Sequence, residues 1–284
     1  VKNVSARAEK KGKQRLVNLL FYILMSVIAV VMVIPFVWML STSFKENGKV
    51  LIFPPQWIPK PWIWENYSYA WTAANMAQYF KNSVIVTVLI TLGQTITCSL
   101  AAFAFSRLEF KGRDTIFLIY LGTMMIPIQV TLIPLYILMK EFKWIDTYQG
   151  LIVPFIFSAY NTFLLRQSFL TLPKSLDESA IIDGCGYMGI FSKIVIPLSK
   201  PALITQALFC ALWAWNDLLW PTVISNTDKV RTLVVGLQMF KSAYAIQWNY
   251  LMAGTCISII PMLVIYIVCQ KYFVEGIAMT GIKG

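Results

Sequence analysis

The sequence predicts an all-α integral membrane protein with six transmembrane helices. Of its 284 residues, 58% are hydrophobic and only 13% are charged, whereas soluble domains carry about 25% charged residues. About 20 consecutive apolar residues cross a bilayer as a helix. Lipid offers no partner to an exposed backbone N–H or C=O group, so spanning runs must be helical. Six runs qualify, the fifth interrupted only by Asp217: 16–44, 82–106, 115–139, 147–165, 201–225 and 242–270.

The first apolar run is expected to remain as a helix and not to be cleaved as a signal peptide. It is longer than the apolar region of such a peptide, and no small-residue cleavage site follows it. Residues 1–15 before it are expected to form a basic cytoplasmic arm, and residues 16–273 the membrane domain. The Lys and Arg side chains of the arm would lie beside anionic lipid headgroups.

The distribution of Lys and Arg predicts that both termini lie in the cytoplasm. With the N-terminus inside, the inside segments hold 15 of these cations, and the outside segments, which have a similar total length, hold 9. Cytoplasmic loops of membrane proteins carry such an excess. The inside segments are 1–15, 107–114, 166–200 and 271–284. We therefore ascribe the net charge of +11 to membrane topology and not to nucleic-acid binding.

The residue inventory predicts neither an active site nor a bound metal or cofactor. The chain has no histidine, and its five cysteines form no close pair, so a metal site and a disulfide framework are not expected. No G-x-x-x-x-G-K-[ST] phosphate loop occurs in the sequence, so we do not expect ATP hydrolysis, or any other enzymatic activity, from this chain.

Polar and aromatic residues in the third and fifth runs are candidate contacts for a transported solute. Pro127 and Pro134 remove backbone hydrogen bonds and predict kinks in the third helix. Polar groups in spanning helices face the bundle interior or a water-filled cavity, and broken helices line the solute paths of transporters. The candidates are Gln129, Tyr136, Trp213, Trp215, Asn216 and Asp217. Helix packing is an alternative role for the polar residues, and interfacial anchoring for the tryptophans.

The segment at about 173–200 predicts a short capped helix between the fourth and fifth runs. Ser175 and Glu178 match the S-x-x-E capping box. Asp177 adds negative charge to the first turn, where it complements the helix dipole. Gly184 is expected to end the helix, because glycine adopts the left-handed cap conformation without steric cost.

The apolar face of this short helix is expected to be buried by a partner. Leu176, Ala180 and Ile181 can share that face. The predicted topology places the helix in the cytoplasm, so the partner would be a cytoplasmic protein with a groove. Binding to the bilayer surface is the alternative, although an anionic leaflet would repel the acidic first turn. A second helical piece is expected at about 187–194, before Pro197.

The same segment resembles the EAA loop of the inner-membrane subunits of ABC importers. That loop reads Glu-Ala-Ala, three residues, Gly, nine residues, then Ile-x-Leu-Pro. This chain has Glu178-Ser179-Ala180, then Gly184, then Ile194-Val195-Ile196-Pro197, and it departs from the pattern at Ser179 and Ile196. The segments AWNDLLWP, IPIQVTLIPLY, FKGRD and GIAMTGIKG further resemble the MalG-type permeases of carbohydrate importers, so the resemblance extends from about residue 16 to the end.

The resemblance implies a type I ABC importer transmembrane domain, of the MetI-like fold, in the bacterial cytoplasmic (inner) membrane. Such a subunit pairs with a second homologous permease as a heterodimer. Two ABC ATPase subunits bind ATP and Mg on the cytoplasmic side, and an extracytoplasmic solute-binding protein delivers a mono- or oligosaccharide. Two alternatives are kept: the same machine carrying a polyol or a sugar phosphate, or an ion-driven secondary transporter, which would need paired ionisable groups at membrane depth.

The resemblance also implies roles for residues of the loop and of the C-terminal tail, residues 274–284. The loop would dock into a cleft of the ATPase and transmit its closure to the membrane helices. Glu178 would either cap its own helix or pair with a basic residue of the ATPase. The loop residues concerned are Leu176, Asp177, Glu178, Ser179, Ala180, Ile181, Asp183, Gly184, Ile194 and Pro197, and the tail residues that would reach toward the ATPase dimer are Gly281, Ile282, Lys283 and Gly284.

Overall fold

The described regular structure of the protein is helical. A computed structural model describes the backbone of residues 2–73, 75–241 and 246–281, and the side chains of residues 14–73, 75–241 and 246–271. Within these ranges the chain forms no strand beyond an isolated bridge between Lys241 and Ile246. The all-α prediction is confirmed for these residues.

The α-helices of the described residues are numbered along the chain. They are α1 (Lys2–Ser43), α2 (Glu65–Ala73), α3 (Met76–Arg107), α4 (Arg113–Gly122), α5 (Ile128–Glu141), α6 (Tyr148–Ile152), α7 (Ala159–Leu170), α8 (Lys174–Ile182), α9 (Tyr187–Ile190), α10 (Ile196–Leu198), α11 (Lys200–Asn216), α12 (Leu219–Ile224), α13 (Leu233–Leu237) and α14 (Trp248–Gly281). Short 3-10 turns lie at Asn47–Lys49, Thr123–Met125, Val153–Phe155 and Gln238–Phe240, and a π-helical turn at Phe191–Val195 joins α9 to α10.

Three long helices and three bent helix pairs meet the length and hydropathy requirements of a transmembrane span. α3 and the apolar parts of α1 and α14, Gln14–Ser43 and Trp248–Lys271, are each long and apolar enough to cross a membrane. The bent pairs, which meet these requirements only together, are α4 with α5, bent by 97°, α6 with α7, bent by 43°, and Tyr187–Leu198 with α11, bent by 80°. The described residues thus hold up to six spans, counting each bent pair as one. In the fifth, the predicted run 201–225 leaves the helix at Asn216, and its partner Tyr187–Leu198 belongs to the segment predicted as a cytoplasmic loop.

The chain divides into two compact units, which are residues 1–70 with 240–257 and residues 71–239 with 258–284. In the first unit, α1 runs without interruption from the segment expected as a basic arm into the first span. The amide of Asn66 donates to the carbonyls of Ser43 and Lys45, at 2.8 and 2.9 Å. These two bonds fix the chain where it leaves the end of α1.

The second unit contains two buried apolar clusters. The first packs α3 against α5, α6, α11 and α12, and its members are Val86, Ile90, Met139, Leu151, Ile152, Cys210, Ala214, Trp220, Ile224 and Val230. The second, here called the loop cluster, packs the end of α3 against α7 and the segment after α8. Its members are Cys98, Ala102, Phe103, Leu165, Phe169, Ile190 and Val195. The loop cluster supports the segment for which a partner is expected.

The third span breaks at Pro127. This residue has extended dihedral angles, φ −62° and ψ 138°, and it immediately precedes α5. Proline has no N–H to donate to the preceding turn and clashes with it, so the chain ends one helix and starts another there. The predicted kink is confirmed at Pro127, whereas α5 continues through Pro134.

The fourth span breaks between the 3-10 turn that follows α6 and the first residue of α7. Three backbone carbonyls at this break accept hydrogen bonds from polar side chains of α3. The donors are Gln94, Thr97 and Cys98, and the acceptors, in the same order, are the carbonyls of Phe155, Ile156 and Ser158. Because lipid supplies no donors, these bonds make irregular backbone tolerable at membrane depth.

Candidate functional site

The helix of the predicted EAA loop, α8, begins two residues earlier than the capping box requires. Pro173 occupies the cap position, and no side-chain cap hydrogen bond forms. Ser175 therefore lies inside the first turn, and its carbonyl accepts a hydrogen bond from Ser179 Oγ at 2.8 Å. The predicted capping box is wrong, because the fixed φ of proline suits the residue before a helix and places the start at Lys174. Glu178 is exposed, so its carboxylate is accessible to a partner.

Gly184 ends α8 in the predicted left-handed conformation, with φ of +79°. Its amide donates to the carbonyl of Ile181 at 2.9 Å, and the amide of Cys185 donates to the carbonyl of Ala180 at 2.8 Å. These two bonds form a Schellman motif. A Cβ placed on Gly184 would meet no atom within 4 Å. The predicted termination is confirmed, and glycine is needed here for the dihedral angle and not for space.

The guanidinium of Arg107, at the end of α3, joins α8 to two other elements. Its Nη1 lies 3.0 Å from Oδ2 of Asp177. Its Nη2 donates to the carbonyls of Phe169 and Leu172, at 2.8 and 3.0 Å. The two charged side chains are only 5% and 16% exposed. Because α3, the end of α7 and α8 meet at this one group, α8 is fixed to the ends of two spans.

The ion pair gives Asp177 a second role beside the predicted interaction with the helix dipole, since Asp177 lies in the first turn of α8. Arg107 Nε and Asp177 Oδ1 are buried and have no hydrogen-bond partner among the described residues, so the attraction between the two charges compensates only part of their desolvation. Arg107 is not among the predicted site residues, and its charge counts there only toward an inside loop. An arginine that follows a span directly, with an acidic residue in the next inside loop, was the available signal.

The apolar residues of α8 are divided between two faces. Ala180 packs against the loop cluster, whereas Leu176 and Ile181 are exposed. Asp177 and Ala180 are one helical turn apart and both contact the rest of the chain, so Ala180 supports α8 from inside while Leu176 and Ile181 stay accessible to a partner. Ile182, which was not predicted, is 85% exposed. The outer patch is defined here as Leu176, Ile181, Ile182, Tyr187 and Met188, which are all exposed.

The second helical piece of the loop forms as predicted but contains a π-helical turn. This turn, Phe191–Val195, ends two residues before Pro197. Pro197 has no N–H to donate to the carbonyl four residues earlier, and a widened turn brings the helix past this position. Ile194 packs against the loop cluster, and Pro197 is exposed. Of the predicted loop residues, Ile194 and Ala180 thus support the loop from inside.

Four of the predicted solute-path residues lie in or directly after α11, and three of them, Trp215, Asn216 and Asp217, bond to different parts of the chain. Trp215 is buried, and its Nε1 donates to the carbonyl of Ser258 at 3.0 Å. Asn216 donates to the carbonyl of Leu212 in its own helix at 2.8 Å. Asp217 ends α11, and its Oδ1 accepts a hydrogen bond from an amide two residues later.

The remaining predicted solute-path residues lie on α5, as Gln129 and Tyr136 do, or on α11 itself, as Trp213 does. Gln129 is exposed at the start of α5, and Tyr136 packs against the first apolar cluster. Trp213 is exposed on α11, and its ring lies 5.2 Å from that of Phe155. Only Trp213 therefore borders the break in the fourth span.

Comparison with known families decides the class of the protein. The family described as "Binding-protein-dependent transport system inner membrane component" matches residues 94–278. The chain belongs to this family of ABC importer permeases. The match covers the EAA loop, so the resemblance that the loop residues carry is confirmed.

Individual relatives of this permease cover most of the chain. It is 36% identical over 255 residues to "Probable ABC transporter permease protein YurM" of Bacillus subtilis, covering 88% of this chain and 83% of that one. It is 35% identical over 245 residues to an arabinooligosaccharides transport system permease, AraQ, of Halalkalibacterium halodurans, covering 86% of each. A crystal structure of a bacterial ABC transporter that imports the acidic polysaccharide alginate contains a chain with a TM-score of 0.79 and 25% identity, covering 91% of this chain and 97% of that one.

Three of the four tail residues of the permease that are predicted to reach toward the ATPase lie outside the described residues. Gly281 is the last residue of α14, and Ile282, Lys283 and Gly284 are outside the described ranges. Their role stays a prediction.

A carboxylate joins two loops of the permease on the side predicted to face outward. Oδ1 of Asp146 accepts hydrogen bonds from the amides of Asn226 and Thr227, both at 3.0 Å, and Oδ2 accepts one from the Thr227 hydroxyl at 2.6 Å. Burial works to raise the pKa of Asp146, but these hydrogen bonds outweigh it, first among them the one from the Thr227 hydroxyl, and the pKa lies below its ordinary value.

The lowered pKa of Asp146 predicts a pH-dependent contribution to stability. A carboxylate whose pKa is lower in the folded state stabilises the fold above its unfolded pKa, about 3.9, and this contribution is lost as the pH falls through the folded value. We expect the detergent-solubilised protein to melt at a higher temperature than Asp146→Asn near neutral pH, and the difference to shrink as the pH falls below about 4. The exposed Glu141→Gln in the same segment is the control. A difference in melting temperature that does not change with pH would contradict this account.

Proposed function

We propose that this permease forms, with a second related permease, the membrane path of an ATP-driven importer for a mono- or oligosaccharide. The outer patch carries this proposal. It presents apolar side chains on a short, capped helix that is tied to α3 and α7 by Arg107. A helix with exposed apolar side chains, next to exposed Glu178, fits a groove on a protein partner. Two ABC ATPase subunits, which bind ATP and Mg themselves, are that partner.

The connection of α8 to the membrane helices supports a route for coupling. When the ATPase subunits close, α8 moves with them. Arg107 then transmits the displacement to the end of α3 and, through the carbonyls of Phe169 and Leu172, to the end of α7. The loop cluster behind Ala180 makes the same connection through packing. Coupling through such a contiguous network needs no change in the fold of α8 itself.

The exposed apolar surface of the first span supports assembly of this chain with a second permease inside the lipid bilayer. None of the most apolar 18-residue window within Gln14–Ser43 is buried inside the chain. Lipid and the second permease would cover it. The protein lies in a bacterial inner membrane with both termini in the cytoplasm. The loops joined by Asp146 then face outward, toward an extracytoplasmic solute-binding protein.

The proposed solute class rests on the relatives. One is named for arabinooligosaccharides, and the solved transporter imports the polysaccharide alginate. A polyol or a sugar phosphate is the alternative within the same machine.

Co-purification from the native membrane tests the assembly. We expect the tagged permease, extracted in mild detergent, to bring down a second multi-span permease and an ATP-binding subunit in stoichiometric amounts. Ile182→Lys should lose the ATP-binding subunit and keep the second permease, because it places a charge in the apolar contact. Ile58→Lys is the control, since Ile58 is also exposed but lies in a segment predicted to face outward. A chain that purifies alone or as a homo-oligomer would refute the proposal and favour an ion-driven carrier.

A further inference from the structure

We propose that a cleft beside the break in the fourth span is a contact site for a neutral sugar ring, an inference that rests on the proposed function. The cleft has a volume of about 410 Å³, within the range of small-molecule sites. Its aromatic lining includes Phe155, Phe157, Tyr160 and Trp213, and its polar lining includes Gln94 and Asn161. Of the predicted solute-path residues, only Trp213 takes part.

The position of the cleft favours a solute site. It lies where the 3-10 turn after α6 gives way to α7, opposite the middle of α3. Irregular backbone at membrane depth is tolerated only where protein buries it or where it lines a cavity. The carbonyls freed here are already satisfied by α3. The break therefore opens a space without leaving strong backbone acceptors in it, as broken helices do at solute sites.

The aromatic walls suit the flat apolar face of a pyranose ring. The rings of Phe155 and Trp213 lie 5.2 Å apart with an angle of 57° between their planes, so they form two adjoining surfaces. Trp213, Phe157 and Tyr160 are all exposed in the chain. The polarised C–H groups of one sugar face are attracted to the negative face of an aromatic ring, and the hydroxyl groups then point to the rim.

The two polar side chains that line the cleft, Gln94 and Asn161, favour a sugar over an apolar occupant. Gln94 and Asn161 are only 5% and 6% exposed. Asn161 Nδ2 donates to Gln94 Oε1, and Gln94 Nε2 donates to a backbone carbonyl at 2.7 Å. Asn161 Oδ1 is buried and finds no partner in the described part of the chain. A sugar hydroxyl can donate to it after a small side-chain shift, whereas a lipid acyl chain would leave it unpaired.

The charge of the residues that line the cleft indicates whether a neutral or a charged sugar fits there. None of the described residues that line the cleft is charged. A phosphate group buried there would have no counter-ion, which is strongly unfavourable. The cleft therefore suits a neutral sugar and not a sugar phosphate.

The test combines uptake with direct binding on the whole transporter. Radiolabelled maltotriose, arabinotriose and glycerol 3-phosphate are first offered to proteoliposomes that contain the complex and its solute-binding protein. The affinity of the complex for the transported neutral sugar is then measured by equilibrium dialysis in the absence of the solute-binding protein. We expect Trp213→Leu and Asn161→Leu each to weaken binding by roughly tenfold, and Trp213→Phe to keep most of the affinity. Trp71→Leu, at another exposed tryptophan, should bind as the wild type does.

The outcomes separate this inference from the proposed function. Transport of glycerol 3-phosphate, or of no neutral sugar, would overturn the sugar assignment and this site with it. Transport of a neutral sugar, with no measurable binding to the wild-type complex or with unchanged binding in both leucine variants, would overturn the cleft alone. A phospholipid found by native mass spectrometry in the wild type and lost in Trp213→Leu, with sugar binding intact, would assign the cleft to lipid.

Discussion

Arg107→Met is expected to abolish solute uptake by the reconstituted transporter and to lower its melting temperature. The substitution leaves the carboxylate of Asp177 largely buried without its counter-ion and leaves the carbonyls of Phe169 and Leu172 without their donor. Breaking a buried ion pair from one side costs about 3–5 kcal/mol. Since α8 loses its polar connection to α3, ATP hydrolysis should no longer follow solute delivery. Uptake, solute-stimulated ATPase activity and thermal unfolding of the same preparation measure the effect.

A double variant separates coupling from stability in this prediction. Arg107→Met with Asp177→Leu removes both charges, and replacing a buried ion pair by apolar side chains is often neutral for stability. The double variant should regain the part of the melting temperature that the unpaired charge costs but not the uptake, because the two carbonyls still lack a donor. Arg113→Met is the matched control, since Arg113 pairs with its neighbour Asp114 near the protein surface. Normal uptake by Arg107→Met would rule out the proposed route of coupling.

Gly184→Val is expected to release the ATPase from the permease and to abolish uptake. A β-branched residue is a conformational outlier at φ of +79°, so α8 would unwind from its end, and the Schellman bonds of Gly184 and Cys185 would break. The outer patch would then lose its fixed geometry. The measurement is the amount of ATP-binding subunit that co-purifies with the tagged permease, with the second permease as internal reference.

Two further substitutions test whether the backbone conformation is the cause. Gly186 has an ordinary φ of −76° and, like Gly184, open space around a Cβ, so Gly186→Val adds the same bulk without strain and should keep the ATPase. Gly184→Asn should restore much of the binding lost in Gly184→Val, because asparagine tolerates the left-handed region. If both valine variants lost the ATPase equally, bulk against the partner would be the cause and not the turn.

Hydropathy and local backbone chemistry predict much of this fold. Long apolar runs give the six spans, Pro127 marks a break, and Gly184 marks a helix end, since each of these depends on residues close together in the sequence. The capping box failed for a local reason as well: Ser175 and Glu178 have the required spacing, but Pro173 moved the helix start.

Contacts between distant segments escaped prediction because hydropathy carries no information about them. Arg107 and Asp177 are far apart in the sequence, and only the packing of α3 beside α7 brings them together. The break in the fourth span was missed because its run is uncharged throughout. Two residues were the available signals. Pro154 lies in the 3-10 turn, and the hydroxyl of Ser158 accepts a hydrogen bond from the backbone amide of Asn161 at the start of α7.

The hydrogen bonds at the break in the fourth span also bear on how the chain enters the membrane during synthesis. A segment with freed carbonyls is poorly suited to insertion into lipid by itself. The donors Gln94, Thr97 and Cys98 belong to α3, which leaves the ribosome before α6 and α7 do. The helix that carries the donors is thus synthesised before the broken segment that needs them, so the order of the spans along the chain favours their pairing during synthesis.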